Sequence, residues 1–344
     1  MAGGVKHTMP GGFVSLLTTS LLRLPGKFEV ARLLGTLQKI DANAVQRLSV
    51  REWLDTRIRQ PEVRGLVQAL FRLANYANDP ERHSAGSALS QLQMALSSNV
   101  DYLDGGWQVL VDAMRAQAEA AGVQIQCGAR VVGVDHDASV RAVRLADGPS
   151  MTAAAVVVAG TPTDAVGVVP DSGVLRQWAE SAIPVKAACL DIALSRLPDP
   201  KARFALGIDA PLYFSVHSAV AKLAAAGGAT IHVAKYLDPS TVPDPKADER
   251  QLEALLDLMQ PGWREVVVER RFLPSMVVSH ALVTAAAGGT AGRPGPAVPG
   301  IDGLFVVGDW VGPEGVLADA SVASAQQAAE MILRRGASRI AAAA

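Results

Sequence analysis

The sequence predicts an α/β chain in which discontinuous segments build a helix-covered parallel sheet and the stretches between them build an interleaved α+β half. Three observations carry that expectation. Residues 153–160, AAAVVVAG, form a continuous apolar run of the kind found in a strand buried on both faces of a parallel sheet. Residues 304–307 form a second such strand, which ends in Gly308 and Asp309 and is followed by a small-residue helix from about Leu317. The length of 344 residues fits two domains or one composite domain at roughly 100 to 200 residues each.

Along the chain, residues 27–60 read as helical. KFEVARLLGTL carries apolar residues three and four apart, and SVRE supplies a capping box from Ser49 and Glu52. Pro61 sits where a first helical turn tolerates proline, and the segment after it puts Leu66, Ala69, Leu70 and Leu73 on one face. The first hundred residues are therefore mainly helical. DYLDGGW introduces a turn, and WQVLVDAMRAQAEAAG follows as a helix stopped by Gly122. Strands are expected within VQIQCGARVVGVDHD and SVRAVRLADG, and then in residues 153–160. Beyond these come strands such as KAACLDIAL and ATIHVAKYL, a helix around residues 248–259, and Gly/Pro-rich connections.

Composition excludes several classes. Thirty-two Lys and Arg against 33 Asp and Glu leave a net charge of −1, so no field large enough to gather nucleic acid or anionic lipid is expected. With 49% hydrophobic and 19% charged residues the chain is globular rather than disordered. Cys127 and Cys189 stand in no CxxC or zinc-ligand spacing, which fits a reducing cytoplasm. The purest apolar run falls well short of the roughly 18 residues that span a bilayer, so no transmembrane segment is expected. Lys6 before FVSLLTTSLL imitates a signal peptide, but Arg23 follows and no small-x-small cleavage site appears. The six histidines, His7, His83, His136, His217, His232 and His280, show no HxH or HxxxH spacing, so no metal site is expected. No GxSxG elbow or cysteine nucleophile motif supports hydrolase chemistry.

In open α/β sheets, ligands bind beyond the carboxyl ends of the strands, where helix N-termini present unpaired N–H groups and partial positive charge. Asp309 occupies such a position; the alternative is that it caps the following turn. The helix face of Ala318, Val322, Ala325 and Ala329 is narrow enough for close approach by a flat ligand or a neighbouring strand.

GLFVVGDWVGPEGVLADASVASAQQAA resembles the C-terminal flavin-binding motif of the FAD-dependent amine oxidase, phytoene desaturase and protoporphyrinogen oxidase superfamily. DGGWQVLVDAMRAQAEAAGVQIQCGARVVGV resembles its middle FAD segment, and SVREWLDTRI with the helices after it resembles the start of its substrate domain. The resemblance implies an FAD/NAD(P)-binding, Rossmann-like parallel sheet, here incomplete, with an interleaved α+β substrate domain. Residues 101–162 and 301–335 would then build the FAD-binding part, residues 1–100 and 163–300 the substrate part, and residues 336–344 a tail.

Carried over residue by residue, the resemblance implies that Gly308 and Asp309 meet the pyrophosphate and ribityl part of FAD, and that the backbone at Leu317 and Ala318 faces the pyrimidine edge of the isoalloxazine. The main chain of Val131 would contact adenine, with Ala159, Gly160 and Thr161 near the adenosine half. VASAQ stands where relatives often have a Ser-Gly pair, and Ala325 still allows close packing. Lys186, in IPVKAACLDIAL, aligns with the strand lysine that holds a water near flavin N5 in amine oxidases. The residues alone favour a solvent-facing lysine at a strand edge, because lysine is seldom buried. Trp310 either walls the flavin or packs as core, and Tyr213, Phe214 and His217 suit a substrate pocket or any aromatic strand.

Family members begin with a strand, a GxGxxG turn and a helix that cradle the FAD pyrophosphate, with an acidic residue about 20 residues later. This sequence has no such unit and resembles a member without its N-terminal portion. The expected activity is FAD-dependent oxidation of an apolar or amine-bearing small molecule by hydride transfer to flavin; the alternative is a cofactor-poor binding protein or pseudoenzyme. The expected partner is the small-molecule substrate, with no nucleic acid, and with homo-oligomer formation left open.

Overall fold

The computed structural model describes residues 1–98 and 100–343, with side chains through residue 336. In chain order the first elements are α1 (Phe13–Thr18), α2 (Leu24–Leu37), α3 (Val50–Arg57), α4 (Pro61–Asn75), α5 (Ala85–Ser98) and α6 (Gln108–Ala120). There follow β1 (Val131–His136), β2 (Val140–Leu145), β3 (Met151–Thr152), β4 (Val156–Ala159), α7 (Pro162–Val168) and α8 (Gly173–Ser181). The remainder holds β5 (Val185–Leu194), β6 (Phe204–Leu206), β7 (Leu212–Val216), β8 (Ala229–Tyr236), α9 (Pro245–Met259), β9 (Val267–Ser279), β10 (Leu304–Val307) and α10 (Leu317–Ala343).

The chain forms two compact units, Met1–Val123 with Val185–Val278 and Gln124–Pro184 with Ser279–Ala344. The sequence placed the changes of unit at 100/101, 162/163 and 300/301. Local packing places two of these segments differently: α7 and α8 bury Ala165, Val169 and Leu175 in one cluster with Leu304 and Val306, and residues 296–298 bond to the edge of β10.

In the first unit the region read as one helical stretch breaks into α2, a 3-10 turn at Asn43–Val45 and α3. The break has a local cause, because Asp41 Oδ1 accepts the Asn43 N–H at 2.9 Å and draws the backbone out of the helix. The capping box forms as expected: Glu52 N donates to Ser49 Oγ at 3.1 Å, and Ser49 N donates to Glu52 Oε2 at 2.8 Å. α4 starts at Pro61 and buries Val63, Leu66, Val67, Ala69 and Phe71, whereas Leu70 and Leu73 are only half-buried. Its apolar stripe is thus rotated toward Val63 and Val67. Trp53 and Phe71, with ring centroids 5.8 Å apart, anchor this helical core.

The unit's sheet has the order β6-β7-β8-β5-β9, with β6-β7, β7-β8 and β8-β5 antiparallel. Period-two alternation sends Leu190, Ile192, Phe214, Ile231 and Val233 into a core with Leu252, Leu255 and Leu256 of α9. The opposite face carries Cys189, Asp191, Tyr213, His232 and Tyr236.

In the second unit β1-β2-β3 form an antiparallel meander, while β4 and β10 pair in parallel from Val156↔Leu304 to Ala159↔Val307. The two apolar runs therefore share one parallel sheet, as the sequence predicted. Only β10 is fully buried. Val156 and Val158 are half-buried and Val157 and Ala159 exposed, so the expectation of a β4 buried on both faces is corrected. The second edge of β10 is taken by the chain just before it: Val298 N donates to Leu304 O and Val306 N to Pro296 O. α10 packs on β10 and buries Ala320, Ser324 and Ala328. The face of Ala318, Val322, Ala325 and Ala329 is exposed, which corrects which side of the helix meets the strand.

Candidate cofactor and substrate sites

The carboxyl ends of β4 and β10 lie side by side in the second unit, in the register Ala159↔Val307. Trp310 fastens them together: its Nε1 donates to Gly160 O at 3.0 Å, its ring meets Trp178 edge-on at 6.2 Å, and only 2% of it is exposed. Trp310 is core. Gly308 stands at φ +153, which side chains rarely adopt, and a Cβ there would lie 3.0 Å from Trp310 Nε1, so the indole would have to give by a few tenths of an ångström. The Gly308 N–H donates to Ser324 Oγ of α10 at 3.0 Å, which locks strand end to helix.

Asp309 does not cap a turn. Its carboxylate accepts the His280 N–H at 2.9 Å, and its other oxygen lies 3.0 Å from His280 Nδ1. The loop after it is shaped by Arg293, whose guanidinium donates to the carbonyls of Asp309 at 3.1 Å, Glu314 at 3.1 Å and Gly315 at 2.7 Å. Burial pulls the Arg293 pKa down to about 10, opposed by the charge of Asp309. Its Nε is buried with no hydrogen-bond partner among the described residues. Gly315 at φ +63 and Leu317 at φ +56 then turn the chain into α10, whose first N–H groups have no intrahelical acceptor. At the end of β4, Thr161 caps α7: its Oγ1 accepts the Asp164 N–H at 3.0 Å, and its own N–H and hydroxyl donate to Asp164 Oδ2.

These groups suit a ligand bearing phosphates. A helix N-terminus with unsatisfied donors, a half-buried guanidinium and two adjacent strand ends supply positive potential and little side-chain bulk. Of the residues named from the sequence, Ala159, Gly160, Thr161, Gly308 and Asp309 come together here, and Arg293 ties Asp309 to the loop that opens α10 at Leu317 and Ala318. Val131 begins β1 in the meander, paired with Leu145 and 40% exposed. Lys186 lies in the other unit as the second residue of β5, exposed, on the alternation shared by Leu190 and Ile192. Sequence reasoning missed His280 and Arg293. Arg293 did leave a signal, being the only Asp, Glu, Lys or Arg between Phe272 and Ile301.

A second constellation lies on the open face of the five-stranded sheet. Pairing sets Asp191, His232 and Ser215 in one row and Cys189, Ala234 and Tyr213 in the next. Asp191 Oδ1 lies 2.7 Å from His232 Nδ1, the His232 and His217 rings are 4.3 Å apart, and His217 Nε2 lies 3.2 Å from the Tyr213 hydroxyl. Tyr102 meets His217 edge-on at 5.2 Å, and Tyr76 meets Tyr236 at 6.0 Å. Burial, with neighbouring His232, lowers the His217 pKa to about 4. Burial and then the charge of Asp191 push the Cys189 thiol up to about 12, and burial raises Tyr213 and Tyr236. The neutral His217 ring and the tyrosine hydroxyls thus share this face with one carboxylate. Phe214 is absent from this face, being fully buried in the core beneath it.

Known proteins share the architecture. The chain superposes on an oxidoreductase from Methanosarcina mazei with a TM-score of 0.72 at 17% identity, over 93% of this chain and 75% of that one. Putrescine oxidase bound to putrescine gives 0.63 at 15%, over 91% and 76%. Cyclohexylamine oxidase from Brevibacterium oxydans IH-35A gives 0.56 at 16%, also over 91% and 76%. No curated protein matches the sequence. The family model of flavin-containing amine oxidoreductases matches residues 4–185, more than half of the chain. With strand ends and a helix N-terminus fit for a dinucleotide, that match shows that the chain belongs to the flavin-containing amine oxidoreductase family, the FAD-dependent oxidoreductases.

Proposed function

We propose that this chain oxidises an amine-bearing small molecule with an apolar body by hydride transfer to flavin. FAD, when bound, supplies the hydride acceptor. In this reading Gly308, Asp309 and the opening of α10 at Leu317 and Ala318 hold the flavin end and pyrophosphate. Arg293 adds positive charge behind them, while Val131, Ala159, Gly160 and Thr161 take the adenosine half. From the resemblance, Lys186 is the proposed holder of a water or proton at the reacting edge, acting from the alternation of β5 opposite that of Asp191, a role suited to a side chain whose pKa responds readily to its surroundings.

The observation that carries the amine class is the carboxylate of Asp191, which lies 2.7 Å from His232 Nδ1 on a sheet face that also carries Tyr213 and, against the His232 ring, His217. A carboxylate beside aromatic faces attracts an organic cation, and the rings accept its apolar body. His217, kept neutral down to about pH 4, adds no charge to repel that cation.

The test is anaerobic mixing of the flavin-loaded protein with primary amines of graded length and with alkenes of matching shape. Bleaching of the flavin band by amines alone is expected, and Asp191→Asn should raise the amine concentration for half-maximal reduction by about tenfold, roughly 1.4 kcal/mol. Lys186→Met should slow flavin reduction or reoxidation with the fold intact. Bleaching by alkenes as fast as by amines overturns the substrate class, and unchanged rates in both half-reactions remove Lys186 from the site.

A further inference from the structure

The charge balance of −1 for the whole chain hides a local imbalance. Residues 1–60 hold nine Lys and Arg against four Asp and Glu. The same region holds a cluster of large apolar side chains left in solvent. α1 buries Leu16 and turns Phe13, Val14 and Leu17 outward, exposed by 76, 72 and 55%. α2 buries Val30 and Leu37 and turns out Leu24 and Phe28, one turn apart and exposed by 71 and 75%. The two helices are tied by Lys27, whose Nζ donates to Leu17 O at 2.5 Å.

Beside this face runs a groove of about 860 Å³ lined by Phe28, Arg32, Leu33, Lys39, Arg57 and Arg59, among others. Its two carboxylates are occupied by backbone: Glu29 accepts the N–H groups of Arg59 and Gln60, and Asp41 that of Asn43. Arg32, Lys39, Arg57 and Arg59 are all exposed, and none forms an ion pair among the described residues.

We propose that the outer face of α1 and the first turns of α2, with the cationic groove beside them, is a docking surface for an anionic lipid bilayer. The aromatic and aliphatic side chains enter the boundary between headgroups and acyl chains, and the four cations meet lipid phosphates, the division of labour seen in helices that lie on membranes. Charge decides against a second copy of this chain, because self-pairing of the face would set the groove's cations against one another. A fluid apolar phase also accepts isolated protruding residues without a shape-matched partner. α6 and the residue before it likewise expose Trp107, Val111 and Met114, but Asp112 and Glu119 offset Arg115 there, so its charge selects no partner.

Flotation of the full chain with vesicles of phosphatidylcholine alone and of phosphatidylcholine mixed with phosphatidylglycerol tests the assignment. Recovery with the mixed vesicles alone is expected, falling as salt approaches about 1 M, where screening acts within about 3 Å. Phe13→Ser with Phe28→Ser should lower the partition coefficient at least about tenfold, since each side chain withdraws apolar area from water on insertion. Arg57→Gln with Arg59→Gln should remove the preference for the anionic vesicles. All four side chains are exposed, so circular dichroism melting should be unchanged and loss of binding will not reflect unfolding. Absence of binding to both vesicle types, or binding that both double variants retain, overturns the proposal. So does concentration-dependent self-association that Phe28→Ser abolishes while no vesicle binds, which would give the face to a second copy.

Discussion

Arg293 shows how one side chain can organise a loop that has no regular structure of its own. Three backbone carbonyls from two turns of chain converge on its planar fork, a geometry that a lysine ammonium cannot reproduce. Arg293→Met should therefore cost about 0.5 to 1.5 kcal/mol, the net worth of hydrogen bonds to part-buried and exposed carbonyls, with Arg293→Lys recovering only part of it. Denaturant titration reads the loss, and hydrogen exchange should place the new opening in residues 309–320; protection unchanged there would show that the loop holds without the guanidinium. His83 supplies a second residue-scale expectation. It is buried, and that burial lowers its pKa to about 4 from an ordinary 6.5. Above pH 6.5 the imidazole is neutral whether folded or unfolded and costs nothing. As pH falls from 6.5 to 4 the unfolded chain takes up the proton first, so stability declines by on the order of 3 kcal/mol and levels off below. His83→Gln should flatten that part of the stability–pH curve, and an unaltered slope would assign acid sensitivity to other groups.

At the scale of elements, local chemistry was legible and packing partners were not. The Ser49 and Glu52 pair announced the start of α3 because a capping box needs only four consecutive residues, and both of its bonds are present. Ser49→Ala should cost about 1 kcal/mol in urea-denaturation stability, and an effect near zero would mean that solvent replaces the hydroxyl. The strand end at Gly308 and Asp309 was likewise readable from a buried run followed by a turn and a helix. Periodicity, however, marks a face as apolar without saying what covers it. α6 has a well-formed amphipathic pattern and buries none of its residues. The side of α10 that meets β10 is Ala320, Ser324 and Ala328 rather than the neighbouring alanine row, because a helix this rich in alanine offers two small-residue faces of nearly equal character. The open face of the five-stranded sheet was hidden for a different reason. Asp191, Tyr213 and His232 lie far apart in sequence and become a cluster only through register, which a single sequence does not reveal.

On the scale of the whole molecule, the two compact units divide the proposed chemistry between them. Val131, Ala159, Gly160, Thr161, Gly308, Asp309, Leu317 and Ala318 all fall in Gln124–Pro184 and Ser279–Ala344, whereas Lys186 and the face around Asp191 fall in Met1–Val123 and Val185–Val278. A ligand that binds a native unit stabilises that unit against opening by RT ln(1 + [L]/Kd), about 2.7 kcal/mol at a hundredfold excess over Kd. Local opening is resolved by amide hydrogen exchange, because each cooperative region opens with its own free energy. Saturating FAD should then slow exchange most in peptides covering residues 156–164 and 304–320, where backbone groups at the strand ends and the first turn of α10 would be held. Peptides from the helical core of the other unit, residues 50–75, should exchange as before. An amine substrate added afterwards should extend protection to residues 186–194 and 229–236. Protection by FAD confined to the helical unit would reverse the proposed assignment of cofactor and substrate to the two halves, and equal protection throughout would mean that the halves open as one cooperative body.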